Sequence, residues 1–257
     1  MVLIPARFSS TRFPGKPLAP LKGIPVIQHV YQNSLLSKRA EDVIVATDSE
    51  TIFETVLSFG GKAVMTSPDH LSGTDRIAEA VRLLDRDYDI IVNVQGDEPL
   101  IQPEMIDAVI SVLDDSRAAI GTLMKKIDNP EEIFDPNVVK AVCDENGFAL
   151  YFSRAPIPYH RDEWTTCNEG VARLNSRWTM TKFTCFKHVG IYSYRKDVLL
   201  KLTSLAPTQT ELAEKLEQLR ALGNGYKIKL QETSCETFGV DTPEDLERIE
   251  KCLNSYL

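Results

Sequence analysis

The chain opens MVLIPARFSSTRFPGKPLAP, an apolar run that stops at Ala6 and gives way to three cations, Arg7, Arg12 and Lys16. Pro14 and Pro17 stiffen this loop, and Gly15 lets its backbone approach a ligand closely. A cation about 4 Å from a phosphate oxygen gains roughly 4 kcal/mol at an effective dielectric of 20. Three such cations suit a triphosphate; the alternative is an ordinary solvated basic loop. Two familiar phosphate loops are excluded. Walker A fails because Ser10 stands where its first glycine belongs and Pro17 where its hydroxyl residue belongs, and no Gly-x-Gly-x-x-Gly follows a strand.

Carboxylates come next. In NVQGDEPL a buried strand runs out at Gln95, and Gly96, Asp97 and Glu98 follow before Pro99. A carboxylate at a strand end suits Mg²⁺, which takes one or two protein carboxylates and leaves its other positions to phosphates and water. The competing explanation is a turn, for which Gly-Asp-x-Pro is good chemistry. Asp241, in FGVDTPEDL, also follows an apolar strand-like stretch. Alone it reads as an acidic residue favoured beside a helix start; it gains interest as the partner of Asp97 across one metal–phosphate site.

Other residues suggest binding. LSGTDR places Gly73, Thr74 and Arg76 at a helix start, where backbone N–H groups favour anions or base edges. A simple N-cap explains Thr74 but not Arg76. Arg154, after the aromatic strand in YFSRA, is a candidate for a carboxylate, which arginine binds bidentately. His188 and Tyr192 share HVGIY, while Glu217 and Gln218 sit in EKLEQLRAL, otherwise an ordinary amphipathic helix.

The elements that must position these groups alternate. VLIPA, DVIVAT, KAVMT and YDIIVNVQ read as strands, and VIQHVYQNSLL, SETIFETVLSF, TDRIAEAVRLL and PEMIDAVISVL as helices, with Thr74 the expected N-cap of the third and Pro103 in the first turn of the fourth. This βαβα order predicts an α/β fold with a mostly parallel sheet and helices on both faces. Ligands then belong outside the carboxyl ends of the strands, where Arg7, Arg12 and Lys16 fall. Farther on, VVKAVCD, ALYFSR, HVGIYSYR and YKIKLQE read as strands, and ELAEKLEQLRAL as one helix ending at Gly223. The close, GVDTPEDLERIEKCL, reads as a helix with Thr242 as N-cap, Pro243 first and Asp245 in a capping-box position. The polar stretch from His160 to Lys187 has no clear periodicity. The expectation is a single domain over 1–257, with 150–220 forming a smaller lobe.

Composition narrows the function classes. With 257 residues, 43% hydrophobic and 26% charged, this is an ordinary globular chain. Its net charge of −8 argues against nucleic acid and anionic membrane surfaces as partners. Five cysteines without a Cys-x-x-Cys pair, and four histidines without His-x-x-x-His spacing, indicate neither a disulfide framework nor a structural zinc site. No stretch is long enough to span a bilayer, and MVLI is too short for a signal-peptide core, so a cytoplasmic setting is expected.

Taken together these motifs resemble the 3-deoxy-manno-octulosonate (Kdo) cytidylyltransferases, the CMP-Kdo synthetases. The family pattern IPAR-x-x-S-x-R-x-PGKPL matches residues 4–18, and VATD, SGTDR, VNVQGDEPLI, ALYFSRAPIP, HVGIY, EKLEQLRAL and GVDTPEDLE follow in order across the chain. The resemblance implies a nucleotide-diphosphosugar-transferase type fold, a homodimer, and Mg²⁺-dependent transfer of CMP from CTP to the anomeric hydroxyl of Kdo, releasing pyrophosphate in lipopolysaccharide synthesis. It implies that Arg7, Arg12 and Lys16 bind the triphosphate, with Lys16 and Arg12 stabilising the departing pyrophosphate. Ala6, Ser72, Gly73, Thr74, Arg76 and Gln95 would hold cytidine, and Asp97 and Asp241 would bind magnesium and act in catalysis. Arg154, His188, Tyr192, Glu217 and Gln218 would surround an acidic 2-keto sugar, making 150–220 a sugar-binding and dimer-contact lobe. Transfer to 8-amino-Kdo or sialic acid, and a nucleotide-sugar sensor without turnover, are the alternatives.

Overall fold

A computed structural model describes residues 1–9, 13–161, 164–166, 172–174 and 184–255. Its strands are β1 (Val2–Ala6), β2 (Pro20–Leu21), β3 (Ile24–Pro25), β4 (Val43–Thr47), β5 (Ala63–Met65), β6 (Ile90–Asn93), β7 (Ile120–Lys126), β8 (Lys140–Cys143), β9 (Ala149–Ser153), β10 (Trp164–Thr166), β11 (Ala172–Leu174), β12 (Phe186–Arg195) and β13 (Ile228–Glu232). Its helices are α1 (Val26–Leu35), α2 (Glu50–Ser58), α3 (Gly73–Leu83), α4 (Pro103–Val112), α5 (Glu131–Phe134), α6 (Lys196–Leu202), α7 (Gln209–Glu214), α8 (Gln218–Gly223) and α9 (Pro243–Ser255).

The main sheet runs β13-β7-β12-β6-β1-β4-β5, with β8 and β9 added beside β12. β1 pairs in parallel with β4 and β6, β4 with β5, and β13 with β7, whereas β12 lies antiparallel between β6 and β7. Period-two alternation divides the core into two layers. Val2, Ile4 and Ala6 of β1 and Val92 of β6 face α1, α2, α4 and α9; Leu3 and Ile91 face α3, α6 and α8. Helices therefore cover both faces, as the alternating order predicts.

Three local features depart from the sequence reading. The N-cap of α3 is Ser72, whose hydroxyl accepts from Asp75 N at 3.1 Å; Thr74 lies inside the helix, 6% exposed. The single helix expected over ELAEKLEQLRAL is two, because Lys215 takes a left-handed conformation (φ 54°) between α7 and α8. The Glu214 carbonyl accepts from Arg154 Nε at 2.8 Å, and the Arg220–Glu211 ion pair (2.6 Å) clamps the two short helices across the break. Finally, β7 has no clear signal in the sequence. Its Gly121 is required by packing: a Cβ there would sit 2.4 Å from Ser193 Oγ and 2.9 Å from Val109 O of α4.

The expected lobe over 150–220 includes β12, a strand of the main sheet, together with α6, α7 and α8. Within the otherwise undescribed 162–183 stretch, β10 and β11 pair antiparallel.

Candidate active site

The chain passes from β1 outward to β4 and β5 and returns to β6 on the other side of β1, so the order reverses between β6 and β1. Open α/β sheets bind ligands outside the strand ends at such a point. A cleft of about 350 Å³ lies there, lined by Ala6, Arg7 and Lys16 from the first loop, His70, Ser72, Gly73 and Arg76 around the start of α3, Gln95, Gly96 and Asp97 beyond β6, and Asp241.

Two close approaches shape it. A Cβ on Gly96 would lie 2.7 Å from Pro5 O, so only glycine lets the loop after β6 cross the end of β1. Val240 N donates to Asp97 O at 2.8 Å, tying the segment before α9 to the same turn. Those two contacts bring together aspartates far apart in sequence. On the facing loop, Gly15 (φ 72°) donates from its N–H to Phe8 O at 2.9 Å and starts the short turn Lys16–Leu18. Lys16 Nζ consequently donates to Asp97 Oδ2 at 2.6 Å and to Asp241 Oδ1 at 3.3 Å. Lys16 is 12% exposed at its side chain, the aspartates 32% and 46%.

Desolvation, followed by the charge of Asp97, pushes the Glu98 carboxyl up to about 8. Burial at this turn thus favours the uncharged form of Glu98.

Arg76 lines the cleft, but its guanidinium is already committed. It pairs with Asp48 at 3.2 Å and donates to Thr66 Oγ1 at 2.6 Å and Ser67 O at 3.3 Å. These contacts lock α3 onto the ends of β4 and β5, a role the motif did not reveal. His70, also on the cleft wall, pairs with Glu79 of α3. Arg7 is exposed at the cleft, and Arg12 lies outside the described residues.

Gly73 and Gln95 are shared with a second cavity of about 220 Å³, further lined by Thr74, Asn93, Tyr192, Tyr194, Glu217 and Gln218. The helix break at Lys215 turns Glu217 and Gln218 inward here. Desolvation raises the Glu217 carboxyl and opposes a hydrogen bond from Thr74 that lowers it. Desolvation likewise drives Tyr192 and Tyr194 above the ordinary phenol range. The cavity therefore offers neutral donors and acceptors beside one half-buried acid.

Of the five residues expected around a sugar, this cavity gathers Tyr192, Glu217 and Gln218. Arg154 and His188 do not line it. Arg154 spends Nε on Glu214 O and Nη1 on Pro136 O, both at 2.8 Å; among the described residues no carboxylate pairs with its guanidinium. His188 stands behind Tyr192. The β12 register shifts between Val189 and Tyr192, and that irregularity brings the two rings to 5.2 Å, where an extended strand would separate the residues by about 13 Å. His188 Nε2 lies 2.9 Å from Thr122 Oγ1, and desolvation lowers its pKa to about 4. Asn93, Thr74 as a sugar-side residue, and Tyr194 were missed from sequence. The signal available for Asn93 was a polar residue inside the apolar run YDIIVNVQ.

Among the described residues no group of three or more His, Cys, Asp or Glu side chains is arranged to hold a metal. Asp97 and Asp241 converging on one cation fit an ion that needs two carboxylates and takes its remaining ligands from phosphate and water, as Mg²⁺ does. They do not fit an all-protein cage.

The sequence profile of the cytidylyltransferase family matches residues 1–228. A 3-deoxy-manno-octulosonate cytidylyltransferase of Thermodesulfovibrio yellowstonii is 52% identical over 260 residues, covering 99% of this chain and 98% of its own. One from Geotalea daltonii is 52% identical over 248 residues, covering 96% and 95%. The structure of CMP:2-keto-3-deoxy-manno-octonic acid synthetase complexed with CTP superposes with a TM-score of 0.88 at 41% identity, over 100% of this chain and 98% of that one. A 4-diphosphocytidyl-2C-methyl-D-erythritol synthase from Anaerococcus prevotii, 10% identical with a TM-score of 0.62 over 98% of each chain, shares the fold. With a matching profile over most of its length, relatives at about half identity from end to end, and two joined cavities at the switch point, the chain belongs to the 3-deoxy-manno-octulosonate cytidylyltransferases, the CMP-Kdo synthetases.

Proposed function

We infer that this protein transfers CMP from CTP to the anomeric hydroxyl of Kdo, releasing pyrophosphate and forming CMP-Kdo. The observation that carries the reading is the convergence of Lys16, Asp97 and Asp241 in the larger cleft, Asp97 standing two residues from Gln95, which also lines the smaller cavity. CTP occupies the larger cleft, its triphosphate against Arg7 and Lys16 and its base against the Ser72–Gly73 turn and Gln95. The sugar occupies the smaller cavity against Tyr192, Glu217 and Gln218. Arg154 lies outside this cavity; among the described residues its guanidinium has only carbonyl partners, so it would meet the sugar's carboxylate only where that group extends beyond the cavity.

The reaction is an in-line displacement at the α-phosphorus, in which positioning and charge neutralisation supply most of the acceleration. Asp97 and Asp241 are the residues that would hold Mg²⁺. An ion held there would supply charge neutralisation at the α-phosphate and a lower pKa for the attacking hydroxyl. Lys16 has two employments. Without nucleotide its ammonium offsets the repulsion between the aspartates; with CTP it moves to the phosphates and stabilises charge gathering on pyrophosphate. Gln95 and Gly73, common to both cavities, hold the two reactants at one junction.

The product suits lipopolysaccharide assembly, in a cytoplasmic setting. A homodimer is supported by β9, which among the described strands pairs only with β8 and exposes Leu150 and Tyr151 (62% and 36%). Among the described residues no helix is long and apolar enough to cross a membrane.

The deciding assay is pyrophosphate release with CTP, Kdo and Mg²⁺, run beside ATP, GTP and UTP. Turnover with CTP alone is expected; binding of CTP without release would instead indicate a sensor. Sialic acid and 8-amino-Kdo in the same assay define the acceptor.

A further inference from the structure

Asn93 ends β6, a central strand whose neighbouring residues Ile91, Val92 and Val94 are fully buried apolar side chains. It is itself 3% exposed, and its Oδ1 is buried without a hydrogen-bond partner among the described residues. Buried side-chain polar atoms are nearly always paired, because an unpaired one forfeits its hydration and receives nothing in return. A leucine there would carry no such cost. The residue nonetheless borders open space, so rotation about its side-chain bonds would bring this acceptor to a bound molecule. Asn93 lines the smaller cavity, two residues before Gln95 on the same sheet face, and stands opposite Tyr192 in the β6–β12 register. It thus lies on the floor between the residue shared with the nucleotide cleft and the tyrosine wall of the sugar pocket.

We propose that Asn93 is a specificity-determining residue for the acceptor, its Oδ1 accepting a hydrogen bond from one ring or side-chain hydroxyl of the sugar. The proposal rests on the reading of the smaller cavity as the acceptor site. An amide oxygen accepts and cannot donate, so its partner is a hydroxyl and not the carboxylate. A site that supplies a buried hydrogen-bonding group to a substrate hydroxyl rejects the analogue lacking that hydroxyl, because the protein group is then stranded. The neighbours distribute the remaining chemistry: Thr74 is engaged with Glu217, and the two phenols are neutral. Asn93 accordingly supplies a neutral acceptor that the surrounding residues leave unsatisfied.

The test is a cycle between protein and substrate, using Asn93→Leu and Asn93→Ser with Kdo and a set of Kdo analogues each lacking one hydroxyl. With wild-type protein, one analogue is expected to lose at least about tenfold in kcat/KM relative to Kdo. In Asn93→Leu the Kdo KM rises by a similar factor, the CTP KM stays within about twofold, and discrimination against that analogue collapses towards unity. An unchanged Kdo KM, an equal loss for every analogue, or wild-type indifference to all single deletions would overturn the proposal. Should Asn93→Leu fail to fold, Asn93→Ser, which removes the amide without adding apolar volume, is read by the same cycle. Absence of pyrophosphate release by wild-type protein with CTP and Kdo would instead sink the functional reading, so the two failures are distinct.

Discussion

Replacing Asp97 with asparagine keeps the side chain's volume and removes one of the two charges that Lys16 bridges. Two consequences follow, of different size. Asp97 is 32% exposed, and Lys16 retains Asp241 at 3.3 Å, so the lost ion pair is of the solvent-screened kind worth about 0–1 kcal/mol. The fold should survive with a melting temperature lowered by at most roughly 4 °C. The chemical step is more sensitive. A carboxylate holding a cation about 4 Å away contributes roughly 4 kcal/mol at an effective dielectric of 20, and each 1.36 kcal/mol is about tenfold in rate. Pyrophosphate release by Asp97→Asn at saturating CTP, Kdo and Mg²⁺ should therefore fall about a thousandfold. CTP binding in the absence of metal, measured calorimetrically, should be no weaker than wild type, since Lys16 has lost one competitor for its ammonium. Lys16→Met is the control, with metal-free CTP affinity expected to fall by up to about a thousandfold. Turnover of Asp97→Asn within about tenfold of wild type, or loss of its CTP binding, would refute the assignment of Asp97 to the reacting phosphate rather than to the loop.

Gly96→Ala drives a Cβ to 2.7 Å from Pro5 O, displacing the Asp97 turn; kcat should drop at least about a hundredfold while circular dichroism is unchanged. The His188 imidazole has a folded-state pKa near 4 against 6.5 unfolded, so the unfolded chain binds the extra proton and stability is lost as pH falls from 6.5 towards 4. That loss is at most about 3 kcal/mol, and urea denaturation of His188→Gln should show a correspondingly flatter slope over this window. Lys215→Gly relieves a left-handed backbone (φ 54°) and should raise stability by up to about 1 kcal/mol in the same denaturation assay, with activity intact.

Much of the site was legible because its chemistry is carried by short contiguous motifs. The loop of Arg7 and Lys16, the Gln95–Asp97 turn and the Ser72–Arg76 turn each follow an apolar run that reads as strand or precede one that reads as helix, and the placement of ligands at strand ends follows from the βαβα order. What was not legible depends on contacts between distant segments. Thr74 looked like an N-cap because it begins an apolar helical pattern, yet Ser72 supplies the cap and Thr74 points at Glu217. Arg76 looked like a ligand-binding cation; Asp48, Thr66 and Ser67, from two other loops, consume it. Apolar spacing across ELAEKLEQLRAL satisfied a single helix, since no glycine or proline marks the break, and the interruption is imposed where Arg154 takes the Glu214 carbonyl.

The sequence by itself determined the class of fold, the polarity of each face and the identity of the groups able to meet phosphate, because these depend on residue type and on spacing within one element. Tertiary structure alone decided which of those groups meet. Asp97 and Asp241 share Lys16 only because Gly96 lets one loop cross β1 and a backbone hydrogen bond from Val240 brings in the other. Likewise Asn93 is an unsatisfied acceptor only when β12 and the broken helix wall off the cavity above it. Such convergence is a sum of long-range packing and backbone pairing, and no local pattern encodes it.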